Sequence, residues 1–159
     1  MPIDYDFDKL FDMLEKITFR ERKQEHGTNR LGFPSYRGAV WGRVNARFHG
    51  WREQSADQLR YPHIFLELKK LGDAIVPFEW TSIQLARQLV CPPHKDKANI
   101  GPSVLISFGS YGGRSGYIYV DGVKYNAYQN PLLFDGSKLE HFNTPITDGI
   151  KYSLIYFRC

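Results

Sequence analysis

Phe7, Leu10, Phe11, Leu14 and Ile17 recur at the three-and-four spacing of one helix face, and Asp4 or Asp6 stands ready to cap the start. The pattern predicts a helix from Asp6 to about Thr18 that lays one stripe on a core. A second helix is predicted from about Pro62 to Leu71: Pro62 sits in the first turn, Ile64, Phe65, Leu68 and Leu71 form the apolar stripe, and lysines and Gly72 close it. Between them, from Gly27 to Arg52, glycine, arginine and aromatics alternate without a clean period, although Ala39 to Phe48 fits one or two strands. After Gly72 the pattern changes to short β-rich runs: Glu79–Leu85, Val104–Ser110, Gly116–Val120, Val123–Tyr128, Leu132–Asp135 and Tyr152–Arg158. Asp121-Gly122 between two of these is a two-residue hairpin signal. Short strands with tight turns, preceded by helices, predict a mainly β chain with flanking helices (α+β), an antiparallel barrel or sandwich whose outer face the helices cover.

The length of 159 residues suits one domain with one core, and 42% apolar residues with 15% aromatics are enough to fill it. Residues 1–72 are expected to form a helical and basic support region, and residues 73–159 the β core. The formal net charge of +4 permits an acidic partner without requiring one. Its distribution says more, because Arg20 to Arg52 is strongly basic and the first nineteen residues are acidic. Cys91 and Cys159 lack any C-x-x-C spacing, which argues against a disulfide framework or a cysteine zinc site and suits a reducing interior. The first residues are acidic and amphipathic, unlike a signal peptide, and no apolar run approaches a membrane span. A soluble intracellular protein without membrane contact is expected. The oligomeric state is not legible.

Candidate chemistry centres on CPPHKDKANIGPS and FDGSKLEHF, which place His94, Asp96 and His141 in an H-x-D…H pattern. In an extended segment residues two apart share a face, so His94 and Asp96 can approach one metal ion while Lys95 points away. Two imidazoles and one carboxylate on one side of Fe(II) leave other positions open, as an oxygenase needs; structural zinc sites close their shell. Three such residues alone are more often a solvated loop or a satisfied core. The strand-like runs beside each motif favour ligands at the rim of a small barrel.

The segment from Phe78 to Arg158, including FEWTSIQLARQLVCPPHKDKANIGPSVLISFGSYGG and LLFDGSKLEHFNTPITDGIKYSLIYFR, resembles the Fe(II)- and 2-oxoglutarate-dependent dioxygenases. Within them it looks most like the TET/JBP group of nucleic-acid base oxygenases, with weaker likeness upstream. The resemblance implies a double-stranded β-helix, or jelly roll, with His94, Asp96 and His141 as the metal triad and Fe(II), 2-oxoglutarate and dioxygen as its reactants. It also implies a basic residue on the last strand that grips the far carboxylate of 2-oxoglutarate. Arg158 is favoured, since arginine binds carboxylates bidentately and follows the alternation of Tyr152, Leu154 and Tyr156. Lys151 is the rival, at the spacing that prolyl-hydroxylase-like relatives use. Asn99 stands where TET-like enzymes hydrogen-bond the target base, with a turn asparagine before Gly101-Pro102 as the alternative. Gln84 resembles a polar co-substrate contact.

On this resemblance the expected activity is hydroxylation of a substrate C–H, with the methyl group of a pyrimidine in nucleic acid as the target and DNA favoured over RNA. The rivals are a protein or small-molecule hydroxylase of prolyl-hydroxylase type and a non-catalytic jelly-roll binding module. The segment carries neither the cysteine-rich zinc region of animal TET enzymes nor the separate DNA-binding domain of JBP proteins. Base contacts that larger relatives place after the arginine are therefore expected elsewhere or not at all. The stretch with Arg37, Trp41, Arg43, Arg47, Phe48 and Trp51 reads equally as a nucleic-acid surface or as core aromatics alternating with a solvated basic face. GSYGGRSG, from Gly109 to Gly116, lacks the Gly-Lys-Ser/Thr ending of a phosphate loop and reads as a tight turn. His26, His49 and His63 have no partner at ligand spacing.

Overall fold

The computed structural model describes residues 3–22, 35–46 and 50–159. Expectations resting on Lys23, His26, Arg30, Arg47, Phe48 and His49 lie outside the described residues. Helix α1 (Phe7–Glu15) starts where Asp6 caps it, its carboxylate accepting from the Lys9 N–H at 3.0 Å. It ends earlier than the apolar period predicts, because Lys16 begins a turn through which Ile17 still reaches the core. Helix α2 (Ala56–Arg60), which the pattern does not foreshadow, is capped by Ser55. Helix α3 (Pro62–Ile75) runs one turn past the expected stop. Gly72 is not a terminator here: a Cβ on it would stand 2.6 Å from a ring carbon of Tyr156, so the residue is small to let the helix lie on the sheet.

The strands are β1 (Glu21–Arg22), β2 (Tyr36–Gly42), β3 (Val44–Ala46), β4 (Gly50–Arg52), β5 (Ser82–Arg87) and β6 (Ser103–Phe108). They continue with β7 (Ile118–Val120), β8 (Val123–Tyr125), β9 (Leu132–Phe134), β10 (His141–Asn143) and β11 (Tyr152–Phe157). A six-stranded antiparallel sheet has the order β1-β2-β5-β11-β6-β9, a smaller sheet the order β10-β7-β8, and β3-β4 form a separate ribbon. Asp121 and Gly122 turn β7 into β8 with φ of +50° and +79°, as a two-residue hairpin of primed type requires. The run predicted from Ala39 to Phe48 is split at Gly42, whose φ of +86° swings the chain out of the sheet and into the ribbon. Beyond β1 the free edge of β2 is closed by α2: Asp57 accepts from the Val40 N–H at 2.9 Å and Gln58 from the Gly42 N–H at 2.8 Å.

The two faces of the large sheet follow from strand alternation. On β11, Tyr152, Leu154 and Tyr156 point toward α1 and α3, where they pack with Leu10, Leu14, Leu68 and others. Ser153 and Ile155 point the other way, toward the smaller sheet. Among the described residues no helix is long and apolar enough to cross a membrane.

Candidate metal centre

The chain between β5 and β6 forms no strand, yet it pairs once with the start of β10. The His94 N–H donates to His141 O and the His141 N–H to His94 O, both at 3.0 Å. This reciprocal pairing sets the two imidazoles side by side, ring centroids 4.3 Å apart. Asp96 is fixed two residues on, where its N–H donates to Gly136 O at 2.8 Å.

The imidazoles are oriented by their far nitrogens. His94 Nδ1 lies 2.8 Å from Pro92 O, and His141 Nδ1 lies 3.0 Å from Leu139 O. A carbonyl only accepts, so both Nδ1 atoms carry hydrogen and both Nε2 atoms turn inward. There they stand 3.6 Å and 3.1 Å from the two Asp96 carboxylate oxygens. An Nε2 facing a carboxylate oxygen is a place for a cation, either a proton or a metal ion. The candidate ligand atoms lie within 4.8 Å of one another, close enough for one ion to bind all three, and the mixed nitrogen and oxygen set suits Fe(II).

The pocket beside the triad is lined by Tyr36, Gln84, Cys91, Asn143, Ser153 and Ile155, among others. Gln84 donates to the Tyr36 hydroxyl at 2.5 Å, and the Cys91 thiol donates to Asn143 Oδ1 at 3.4 Å. Ser153 Oγ is buried with no hydrogen-bond partner among the described residues. Lys151, just before β11, has the parity of Ser153 and Ile155 and is only 2% exposed; like Arg158 it is not among the pocket-lining residues, but it lies near Cys91, which is. Its ammonium donates to Gly116 O at 2.6 Å and lies 5.8 Å from the Tyr111 ring centre. No carboxylate pairs with it among the described residues. Burial brings its pKa down to about 8, partly offset by Cys91. Ser153 Oγ, an unsatisfied hydroxyl in the pocket wall, suits a small ligand bearing oxygens.

The expected residues are thus unequally placed. His94, Asp96 and His141 come together, and Gln84 lines their pocket. Asn99 is half-buried, its N–H closing a turn onto Asp96 O at 3.1 Å, and it is not among the pocket-lining residues. Arg158 is exposed, lies past the end of β11 and does not line the pocket. The alternation of Tyr152, Leu154 and Tyr156 that recommended Arg158 leads to the helix-covered core. Ser153, Tyr36 and Asn143 escaped the sequence reading. The signal for Ser153 lay in β11 itself: if its bulky positions fill the core, Lys151 and Ser153 must face elsewhere.

No protein-family model matches the chain. A stretch of 68 residues, 41% of the chain, is 34% identical to Tet-like dioxygenase 1 of Naegleria gruberi and spans 21% of that protein's length. Among solved structures, NgTET1 in complex with 5mC DNA is similar over 95% of this chain and 66% of its own, with a TM-score of 0.63 and 19% identity. An oxidoreductase of the 2OG-Fe(II) oxygenase family from Burkholderia pseudomallei is similar over 95% of this chain and 76% of its own, with a TM-score of 0.55 and 19% identity. The chain has the fold of these oxygenases, and a stretch covering 41% of it is TET-like in sequence.

Proposed function

We propose, on the premise of that TET-like relationship, that residues 1–159 form one Fe(II)- and 2-oxoglutarate-dependent dioxygenase domain on a jelly-roll frame. Its proposed substrate is the methyl group of a pyrimidine base in nucleic acid, which it hydroxylates. The observation that carries the reading is the convergence of two inward Nε2 atoms and one carboxylate at the wall of a pocket.

His94, Asp96 and His141 would hold the iron, and the two backbone carbonyls behind the imidazoles keep the rings from turning. Bound there, iron and 2-oxoglutarate would activate dioxygen so that one oxygen atom becomes the substrate hydroxyl and the other enters succinate as carbon dioxide leaves. Lys151 would grip the far carboxylate in place of Arg158, with Ser153 Oγ donating to it, since Ser153 lines the pocket and Lys151, two residues earlier with the same parity, is buried near Cys91, which lines it too. Gln84, held by Tyr36, orients the same end of the pocket. Leu105, Ile118, Phe134 and Ile155 keep the remaining wall apolar and dry. Nucleic acid as the substrate is supported by the TET-like match and by NgTET1, which was solved with 5mC DNA.

The test is anaerobic loading with Fe(II) and 2-oxoglutarate, followed by oxygen and a methylated oligonucleotide. Succinate should form and hydroxymethylated nucleosides should appear by mass spectrometry. Asp96→Ala should abolish both while the circular dichroism spectrum stays native. Full turnover in Asp96→Ala would remove the triad from the chemistry. The buried Lys151 also favours a second reading, a protein or small-molecule hydroxylase of prolyl-hydroxylase type. Succinate formation with no oxidised nucleoside from any methylated DNA or RNA would select it.

A further inference from the structure

We propose that one end of the large sheet, built from the segment after Asp96, the end of β11 and the β3–β4 ribbon, is the surface on which a nucleic-acid strand lies as it enters the pocket. This inference rests on the nucleic-acid reading above and assigns it a place. It also gives Arg158 a different task, contact with a phosphate.

The three pieces are joined by backbone contacts. From the metal ligand Asp96 the chain runs through Lys97 and Asn99 to Ile100, whose N–H donates to Arg158 O at 2.9 Å. The next residue, Cys159, donates its N–H to the Thr81 hydroxyl at 3.1 Å, and its sulfur lies 3.6 Å from Arg43 O. The Arg43 N–H donates to Thr81 O at 2.9 Å, and with Arg43 the ribbon begins. The path leads from a metal ligand to the ribbon without leaving the surface of this end.

Its side chains suit a polyanion with flat bases. Lys97, Arg158 and Arg52 are exposed and form no ion pair among the described residues. Glu53, 3.5 Å from Arg43, and Glu79 are the carboxylates nearest in sequence to this end other than Asp96. The Arg43 guanidinium lies 4.4 Å from the centre of the Trp51 ring and covers it, yet Trp51 remains 50% exposed. An indole braced by a cation, with half its surface open, is a stacking platform for a base. Ile100 adds apolar surface at 59% exposure. By contrast α1, on the far face of the large sheet, carries Asp8, Asp12 and Glu15.

Binding of a fluorescent single-stranded oligonucleotide, read by anisotropy across a salt series, tests the placement without relying on turnover. Arg158→Glu and Lys97→Glu should each lower affinity and shallow the slope of log K against log salt by about one unit for each phosphate no longer neutralised. Trp51→Ala should cost about tenfold in affinity and leave the slope unchanged. Lys69→Glu, on the outer side of α3, should match the unaltered protein. Should the unaltered protein bind while all three surface variants behave like Lys69→Glu, the surface is wrongly placed and the nucleic-acid reading survives. Should the unaltered protein fail to bind at low salt while still converting 2-oxoglutarate to succinate, both fall together.

Discussion

The two faces of the six-stranded sheet are made by the same strands, yet they are built on opposite rules. Toward the helices, Tyr152, Leu154 and Tyr156 meet Leu10, Leu14 and Leu68, and the Tyr156 hydroxyl is satisfied within the core, donating to Leu68 O at 2.6 Å. With the opposite parity stand Lys151, just before the strand, and Ser153, one a buried cation that meets a carbonyl but no carboxylate and the other a hydroxyl without a partner among the described residues. Each such buried group costs stability unless something completes it. The helix face is finished by folding. On the pocket face the Lys151 ammonium hydrogen-bonds only to the Gly116 carbonyl and Ser153 Oγ to nothing among the described residues, and this difference is what supports placing function on that side.

Substitutions on the two faces should therefore fail differently. With Lys151 as the proposed anchor, Lys151→Ala should weaken 2-oxoglutarate binding on the order of 2 to 5 kcal/mol while the fold persists, because a charge-assisted hydrogen bond would be lost. Arg158→Ala should leave that binding nearly unchanged. Leu68→Ala, on the helix face, should instead cost about 2 to 5 kcal/mol of unfolding free energy through the cavity it opens, with co-substrate affinity kept in the folded fraction. Isothermal titration and urea unfolding of the three variants would check the contrast. If Arg158→Ala proved the damaging change for 2-oxoglutarate, the expectation drawn from the resemblance would return.

A smaller effect is expected where the pocket face meets the candidate metal ligands. Gly136 is buried, its φ is not positive, and its carbonyl holds Asp96. A Cβ there would stand 3.0 Å from His141 Cε1, 3.1 Å from Phe134 Cε2 and 3.3 Å from Asp96 Oδ2. The backbone tolerates alanine, so the glycine serves space beside the ligands. Gly136→Ala should shift a ligand by a few tenths of an ångström and weaken metal binding about 10-fold or more, with little change in melting temperature. Competitive Co(II) titration would measure it, and unchanged affinity would show that the ligands move freely.

The same contrast explains what could be read in advance. Elements whose signal is a period or a turn pair were legible: α1, α3, the Asp121-Gly122 hairpin and most strands of the core. Strand β1 and helix α2 were not, because two residues and five residues carry no period, and α2 is held by what its side chains do for the edge of β2. Gly72 and Gly42 show why glycine misleads, since one serves close packing and the other a left-handed bend. At the site, the ligand spacing announced His94, Asp96 and His141. The proposed co-substrate anchor was harder to read because alternation gives two faces without saying which one faces the candidate metal centre. Only the positions of α1 and α3 decide that Tyr152, Leu154 and Tyr156 are core and that Lys151 is not.

The finest test of the comparison is pH. Burial takes the Lys151 pKa from 10.5 to about 8, a folded value below the unfolded one. The folded chain therefore binds fewer protons than the unfolded chain in that interval, and this group makes stability rise with pH between about 8 and 10.5. Co-substrate binding carries the opposite sign, because a dicarboxylate attracts the ammonium and not the amine. Affinity for 2-oxoglutarate should be full below about 8 and should fall above it, by about tenfold per pH unit at most. Lys151→Arg keeps its charge throughout, so its profile should flatten even if the larger head fits less well. Anaerobic titrations of 2-oxoglutarate into the metal-loaded protein from neutral to alkaline pH would read both profiles. A flat profile in the unaltered protein would take Lys151 out of the pocket's chemistry and leave its burial as a cost that serves the fold alone.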